Sequence, residues 1–414
     1  MSDMRPRSSG SSDVTGIARH GRLKKSGVAG AILTYVGAAL VVILVSGGAV
    51  AGIAAYQIYH NIKQVIINPS QTIAPPPGVG AYPGGFNILV VGDDTRAGQG
   101  GIGAGADDGG ALNDVTMLLH VSGDHKFATA ISFPRDMVVP HPTCSIGGSS
   151  AGLPINTALS YGGLSCVVTV VQALTGLPIQ FAGLITFDGV IKMTDAVGGV
   201  AVCVSGNIND KEVGLHLKSG VHTLSGLTAL KFLRSRHGVG DGSDLGRISS
   251  QQVYLSSLVR TLESAGTLGD PSKVYKIAVA ASTSMELSSS LASPDTMIAI
   301  AQALKGIPIN SIQFVEYPGT TGEGGIYSGK VAPIPGLANQ LMALVRADKP
   351  FKLGTQGNNR GSVAAKGAYG ASATATPSAS GSGSSKNVTV LNNLVGQSAA
   401  QYTCSKANAF NGEG

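Results

Sequence analysis

The feature that most constrains this chain is a stretch without Asp, Glu, Lys or Arg over 26–62, most apolar over 28–56. A run of that length spans a bilayer as a helix, and lipid leaves the backbone no other local way to satisfy its hydrogen bonds. It is longer than the apolar part of a secretory signal, although Val50-Ala51-Gly52 leaves a cleavage site open. Arg5, Arg7, Arg19, Arg22, Lys24 and Lys25 precede it, against Asp3 and Asp13. Cations before a span hold that side in the cytoplasm. The expectation is a single-pass protein of the cell membrane, with the N-terminus cytoplasmic and everything after the span outside.

That topology changes how the charge is read. The chain carries 29 Lys and Arg against 23 Asp and Glu. Setting 1–25 aside leaves 23 against 21, so most of the excess belongs to the tail. Tryptophan is absent and aromatics are few. A nucleic-acid surface would want a basic patch with stacking aromatics, so no nucleic-acid partner is expected. The four cysteines, Cys144, Cys166, Cys203 and Cys404, all fall on the oxidising side, where disulfides persist. Cys144 and Cys166 flank one loop and are the expected pair. No CxxC or paired-His spacing suggests zinc.

The remaining organisation follows composition. Residues 1–25 read as a disordered basic tail and 26–62 as the transmembrane helix. Residues 63–85, with Pro69, Pro75, Pro76, Pro77 and Pro83, read as a stiff stalk. Residues 86–352 alternate short apolar strands with amphipathic helices and are long enough for one large core. Residues 353–385 are a Gly/Ser/Ala/Thr linker, and 386–414 form a last segment too short to bury a core alone. The expected fold class is α/β, with α+β possible, built on a central mixed sheet.

Chemistry gathers at strand ends. The apolar run from Phe86 ends in Gly92-Asp93-Asp94, which reads as a buried parallel strand with carboxylates at its C-terminal edge, where open α/β sheets bind ligands. Asp114 begins a second apolar strand, and Arg135-Asp136 closes a third. The glycine-rich stretch after Asp94 lacks the Gly-Lys-Ser/Thr of a Walker A loop. Asp94 and Asp114 are candidates to hold one hard divalent cation, since Mg2+ needs only one or two carboxylates beside phosphate oxygens and water. Over 187–197, Val190, Met193, Thr194 and Val197 form a helical stripe ending at Gly198; the stripe suits either core or a slot for a lipid tail.

Arg234, Arg236, Asp244 and Arg247 surround a glycine-rich turn. The alternation of Phe232, Arg234 and Arg236 predicts a strand that points both arginines to one face. Asp244 and Arg247 fall one turn apart at the start of a helix carrying Ile248, Leu255, Val259 and Leu262. The turn fails the pattern of a calcium loop, because Ser243 and Leu245 follow Asp241. Convergent guanidiniums suit phosphate oxygens. No Gly-x-Ser-x-Gly elbow points to a hydrolase triad.

Taken together, 87–96, 113–117, 132–136, 155–156, 187–200 and 234–252 resemble the LytR-CpsA-Psr family of bacterial cell-envelope phosphotransferases, in its actinobacterial type. The resemblance implies a three-layer domain outside the membrane. It implies Mg2+ on Asp94 and Asp114, with Arg135, Arg234, Arg236 and Arg247 on the diphosphate of a polyprenyl-linked glycan and Asp244 among them. Arg96, Asn156 and Gln251 are implied substrate contacts. The partners implied are a polyprenyl-diphosphate-linked glycan, peptidoglycan and membrane lipid, and the first guess for the glycan is arabinogalactan. The sequence departs from the family at Leu112-Asn113, Pro154 and Ser250, where many members carry basic residues. Two other readings stay open: hydrolysis of the lipid diphosphate by water, and a non-catalytic lipid-binding or regulatory protein.

Overall fold

A computed structural model of the chain describes residues 52, 56, 63–67, 80–94, 111–144, 148–264, 276–277, 279–281, 284–354, 360–365 and 388–409. The predicted span lies outside these residues except for Gly52 and Tyr56, both helical. The rest belongs to one compact unit over 55–414.

In chain order the elements are β1 (Lys63–Val65), β2 (Phe86–Asp93), β3 (Asn113–Val121), β4 (Ala128–Phe133), β5 (Val138–Cys144), β6 (Gly148–Pro154), α1 (Ala158–Thr175), β7 (Phe181–Ile185) and α2 (Phe187–Val197). There follow β8 (Val200–Ser205), β9 (Ile208–Asp210), β10 (Leu215–Leu217), β11 (Gly220–Leu224), α3 (Gly226–Arg234), α4 (Asp244–Ser264), β12 (Met285–Ser288) and α5 (Pro294–Lys305). Then come β13 (Ile312–Glu316), β14 (Gly319–Thr321), β15 (Val331–Pro333), α6 (Pro335–Arg346), β16 (Phe351–Leu353), β17 (Ser362–Ala364), β18 (Thr389–Leu391), β19 (Gly396–Ser398) and β20 (Thr403–Lys406).

The main sheet has eight strands in the order β1-β12-β7-β2-β3-β4-β13-β19. It is mixed. β2, expected as a buried parallel strand, runs parallel to β7 on one side and antiparallel to β3 on the other. The continuous apolar run arises because both faces of the sheet are covered. Phe86, Ile88 and Val90 pack on the side of α5, with Ala299, Ile300 and Ala303. Leu89 and Val91 pack on the opposite side, with Val167, Val171, Leu341 and Val345 of α1 and α6. These are the three layers expected.

α1 is the one helix among the described residues long and apolar enough to cross a membrane. Its Val167, Val168, Val170 and Val171 are fully buried in the core, so it is a core helix. It ends at Gly176 in the left-handed region, whose N–H closes on Gln172 O. The expected Cys144–Cys166 bridge ties it to β5, and a second bridge joins Cys203 to Cys404.

One expectation changes. The region 63–85 is no free stalk at either end: β1 pairs with β12 at the sheet edge, and Tyr82 packs edge-on against Phe86 and Phe181. The proline-rich stretch between them lies outside the described residues. The last segment, expected to be too short to bury a core alone, joins the domain. β19 adds to β13, and β20 lies between β17 and β8 in a second sheet of order β11-β8-β20-β17. A segment too short to bury its own core is stable here because it borrows one. α4 runs between the two sheets. Val253 and Tyr254 face β8 while Leu255 and Val259 face the main sheet. Its many buried serines are satisfied across those interfaces, Ser256 by Gln397 at 2.7 Å and Ser257 by Ala201 O.

Candidate active site

The site forms where the end of β2 meets the start of β3. Antiparallel register sets Asp93 opposite Asn113, and the register slips between Gly92 and Asp93. Such a bulge re-aims side chains at a sheet edge. Asp94 is fixed by a two-way clasp with Leu112: its N–H reaches Leu112 O at 3.1 Å, and its Oδ1 accepts Leu112 N–H at 2.9 Å. Leu112, one of the departures from the family pattern, thus serves through its backbone. Burial pushes the Asp94 carboxyl above the ordinary carboxylate range, and Asp114 and Asp93 push the same way. Three carboxylates therefore share one strand edge.

Asp114 is held by cations. Its Oδ1 pairs with Arg135 Nη1, and its Oδ2 lies 3.8 Å from Arg247 Nη1. Arg247 Nη2 also donates to Asp114 O at 3.0 Å. Asp244, at the first turn of α4, lies 2.6 Å from Arg247 Nη2, an ion pair without aligned hydrogen-bond geometry. Its other oxygen accepts the backbone N–H of Arg135 at 3.1 Å. Asp244 and Arg247 are only 6% and 4% exposed, so this is a desolvated network whose charges need each other. For the Arg135 guanidinium, burial works to lower the pKa, but Asp114, Asp136 and Asp244 outweigh it and hold it above its ordinary value.

Arg234 and Arg236 are placed differently from expectation. No strand forms over 232–236. α3 continues to Arg234, and Ser235 leaves the helix in extended geometry. Ala229, Leu230 and Phe232 must be buried together, and a helix achieves that where a strand would expose some of them. Lys231 and Arg234 occupy its last turn, where the helix dipole favours cations. The Arg234 guanidinium lies over the Phe187 ring, 4.3 Å from its centroid. Arg236 sits in the following turn, and its Nε is buried with no hydrogen-bond partner among the described residues, as is Arg247 Nε. A desolvated guanidinium donor left open suits an anionic ligand.

Behind this rim lies a cavity of about 410 Å³. Val190, Met193, Thr194 and Val197 of α2 form one wall, so the stripe faces a cavity. Leu230 and Leu233 of α3, Tyr254, Leu255 and Leu258 of α4, and Val90, Met117 and Met285 of the sheet form the others. Asp93, Asp114, Arg234, Arg247 and Gln251 border it. Thr186 caps α2 by accepting Gly189 N–H at 3.2 Å, and Gly198 ends it in the left-handed region, as its sequence predicts.

Of the expected residues, the structure therefore gathers Asp94, Asp114, Arg135, Arg234, Asp244, Arg247 and Gln251. Gln251 donates to Leu233 O at 2.9 Å, which locks α3 to α4. Arg236 is not in the cavity wall. Asn156 stands behind Arg135, donating its N–H to Arg135 O at 3.0 Å, with its Oδ1 buried and unpartnered. Arg96 lies outside the described residues.

Two residues escaped the sequence reading. Asn113, fully buried, donates to Ile155 O and Thr116 Oγ1 and accepts Leu159 N–H, bolting the start of α1 to β3. Asp210 is 1% exposed and accepts from Ser235 Oγ, Arg236 N and Gly238 N. Burial alone would raise its carboxyl, but these donors hold it below the ordinary range. An Asp at a turn is the only local signal for it, and nothing nearby says it reaches residues 25 or more positions away.

Asp94 and Asp114 offer oxygen donors only. Among the described residues no group of three or more His, Cys, Asp or Glu is placed to hold a metal ion. The set fits a hard cation that completes its shell with ligand phosphates and water, and it fits no all-protein cage.

The LytR_cpsA_psr family matches residues 53–336 of the chain. The cell wall biosynthesis protein LcpA of Corynebacterium glutamicum is 29% identical over 294 residues, covering 64% of this chain and 55% of LcpA. The polyisoprenyl-teichoic acid–peptidoglycan teichoic acid transferase TagV of Bacillus subtilis is 28% identical over 208 residues, 49% of each chain. The chain thus spans about half the length of the curated relatives it matches. The crystal structure of B. subtilis TagV aligns with a TM-score of 0.52 at 23% identity, over 64% of this chain and 97% of that one. A LytR-Csp2A-Psr enzyme from Actinomyces oris aligns at 0.51 and 20%, over 69% and 95%. At these identities the likeness establishes the fold alone.

Proposed function

Because the chain belongs to the LytR_cpsA_psr family, in the actinobacterial type of its Corynebacterium relatives, we propose that it transfers a glycopolymer from a polyprenyl-diphosphate carrier to peptidoglycan at the outer face of the membrane. One observation carries this reading: an apolar cavity of about 410 Å³ that opens onto Asp114, Arg234 and Arg247. A hydrocarbon tail gains by leaving water for such walls. A diphosphate at the rim meets fixed, always-charged guanidiniums. Arabinogalactan is our first candidate for the glycan.

The chemistry needs positioning and charge neutralisation more than a covalent nucleophile. A sugar hydroxyl of peptidoglycan attacks the phosphorus nearest the glycan. The bond from that phosphorus to the bridging oxygen breaks, polyprenyl phosphate leaves, and the hydroxyl proton passes to solvent water. Arg234 and Arg247 hold the phosphate oxygens, and Arg135 holds Asp114 in place. Asp244 orients Arg247 through their ion pair and the Arg135 backbone through a hydrogen bond. Asp94 and Asp114 would hold Mg2+, which when bound adds positive charge beside the phosphates.

The test is ligation in vitro. The chain, in detergent with magnesium, is mixed with a lipid-diphosphate-linked glycan and oligomeric peptidoglycan. The expected product is glycan joined to peptidoglycan through a phosphodiester. Arg234→Ala should lower the rate about a hundredfold or more, the usual loss when a transition-state charge contact is removed. Free glycan phosphate would instead indicate hydrolysis. Tight lipid binding with no product from any donor would indicate a binding protein.

A further inference from the structure

The family match ends at residue 336, yet the turn joining α3 and α4, the helices that carry Arg234 and Arg247, is built against residues 360–361 and 406–408. Gly240 donates its N–H to Lys406 O at 2.7 Å, Asn408 N–H reaches Gly238 O at 3.0 Å, and Val239 bridges to Ala407 in antiparallel register. The segment 238–240 thus pairs, through an isolated antiparallel bridge, with the residues just past the end of β20. Asn408 goes further. Its Nδ2 donates to His237 O at 2.9 Å, so one residue clasps the turn through both backbone and side chain. Asn408 is 8% exposed, and its side chain fits because Gly242 offers no Cβ beside it.

The neighbouring strand completes the brace. Lys406 N–H donates to Gly361 O at 3.0 Å, and Arg360 Nε lies 3.6 Å from Asp241 Oδ2. The approach is backbone against backbone. A Cβ on Gly240, which has φ +60, would meet Arg360 O at 2.2 Å, and one on Gly361 would meet Gly246 O at 2.0 Å. β20 is itself tied to β8 by the Cys203–Cys404 bridge and to α4 by a Ser250–Ser405 hydroxyl contact. Ser250 is one of the positions where the family often has arginine; here it belongs to the brace. Asp210 secures the other side of the same turn through Arg236 N and Gly238 N. The turn between Arg236 and Asp244 is therefore held between Asp210 and Asn408, one on each side.

We propose that Asn408 is a positioning residue for the phosphate-gripping arginines, and that the C-terminal strand is an intramolecular brace setting the site's grip on the diphosphate of its lipid donor. The inference rests on the proposed function for the identity of that ligand. It makes a separate claim about what holds the turn.

The experiment uses the full chain in detergent with magnesium, farnesyl diphosphate as the probe, and Asn408→Ala beside the wild type. Binding is measured by calorimetry, and hydrogen exchange is followed at 236–243. The expected result is about tenfold weaker binding, in keeping with one lost buried hydrogen bond. Exchange should be faster at 236–243 while the amides of β2 and β3 stay protected. In the ligation assay KM for the lipid donor should rise, with KM for peptidoglycan unchanged; a merely less stable protein would lose active fraction and leave both KM values alone. Unchanged binding and unchanged exchange in the variant would overturn the proposal. A wild type that does not bind the diphosphate would sink the functional reading instead, and exchange at 236–243 would still decide whether Asn408 holds the turn.

Discussion

Asp114 shows how single residues set this site. One carboxylate faces two guanidiniums, Arg135 and Arg247, and sits beside Asp94. Removing any partner leaves a desolvated charge, which costs more than the pair contributes when intact. Glu316, at the end of β13, is the contrasting case. It is 4% exposed, its Oε2 has no hydrogen-bond partner among the described residues, and burial pushes its carboxyl up to about 8. Arg360 works against that shift, while Asp244 and Asp241 add to it. A raised folded-state value means the native protein favours the proton. The stability so gained is complete below the unfolded value and is lost as pH rises toward about 8. Glu316→Gln should therefore match the wild type in Tm at pH 5 and exceed it at pH 8.5. Equal Tm values at both pH values would show that Glu316 is not held protonated. At this scale the carboxylates and arginines were legible as residue types near strand and helix ends. Asp210, Asn113 and Asn408 were not, because each acts through a partner far away in the chain.

Elements decide which residues face the ligand. The stripe on α2 was visible from spacing, but periodicity cannot separate a core face from a cavity wall. The answer came from α3 and α4, whose Leu230, Leu233, Tyr254, Leu255 and Leu258 line the same cavity as the stripe. Met193→Trp should fill part of that space. Binding of a polyprenyl diphosphate should fall about tenfold or more, while binding of inorganic pyrophosphate at the rim is retained. Equal loss of both ligands would mean the tail does not occupy the cavity. The arginine pair teaches the opposite lesson. Five residues of alternating pattern suggested a strand, but α3 needs Ala229, Leu230 and Phe232 on one buried face, and tertiary packing overrides a short local pattern. Arg234 and Arg236 then part company, one in the cavity wall and one in the turn.

At the scale of the molecule, two sheets share α4, and the last strands close the second sheet. Cys203–Cys404 links residues 201 apart, whereas Cys144–Cys166 links residues 22 apart. A longer closed loop removes more entropy from the unfolded chain, about 5 kcal/mol against about 3 in the chain-entropy model. The Cys203→Ser/Cys404→Ser protein should accordingly lose more Tm than the Cys144→Ser/Cys166→Ser protein; the reverse order would mean the C-terminal strand contributes little to folding. The sequence by itself determined the α/β class, the strands ending in Asp94 and beginning with Asp114, and the helices after Thr186 and from Asp244. Each rests on local periodicity, capping or spacing. Only the tertiary structure decided that β2 lies between a parallel and an antiparallel neighbour, that the α2 stripe lines a cavity, and that residues 360–365 and 388–409 brace the arginine turn. Those outcomes depend on contacts between segments up to about two hundred residues apart, and neither periodicity nor spacing carries information over that separation.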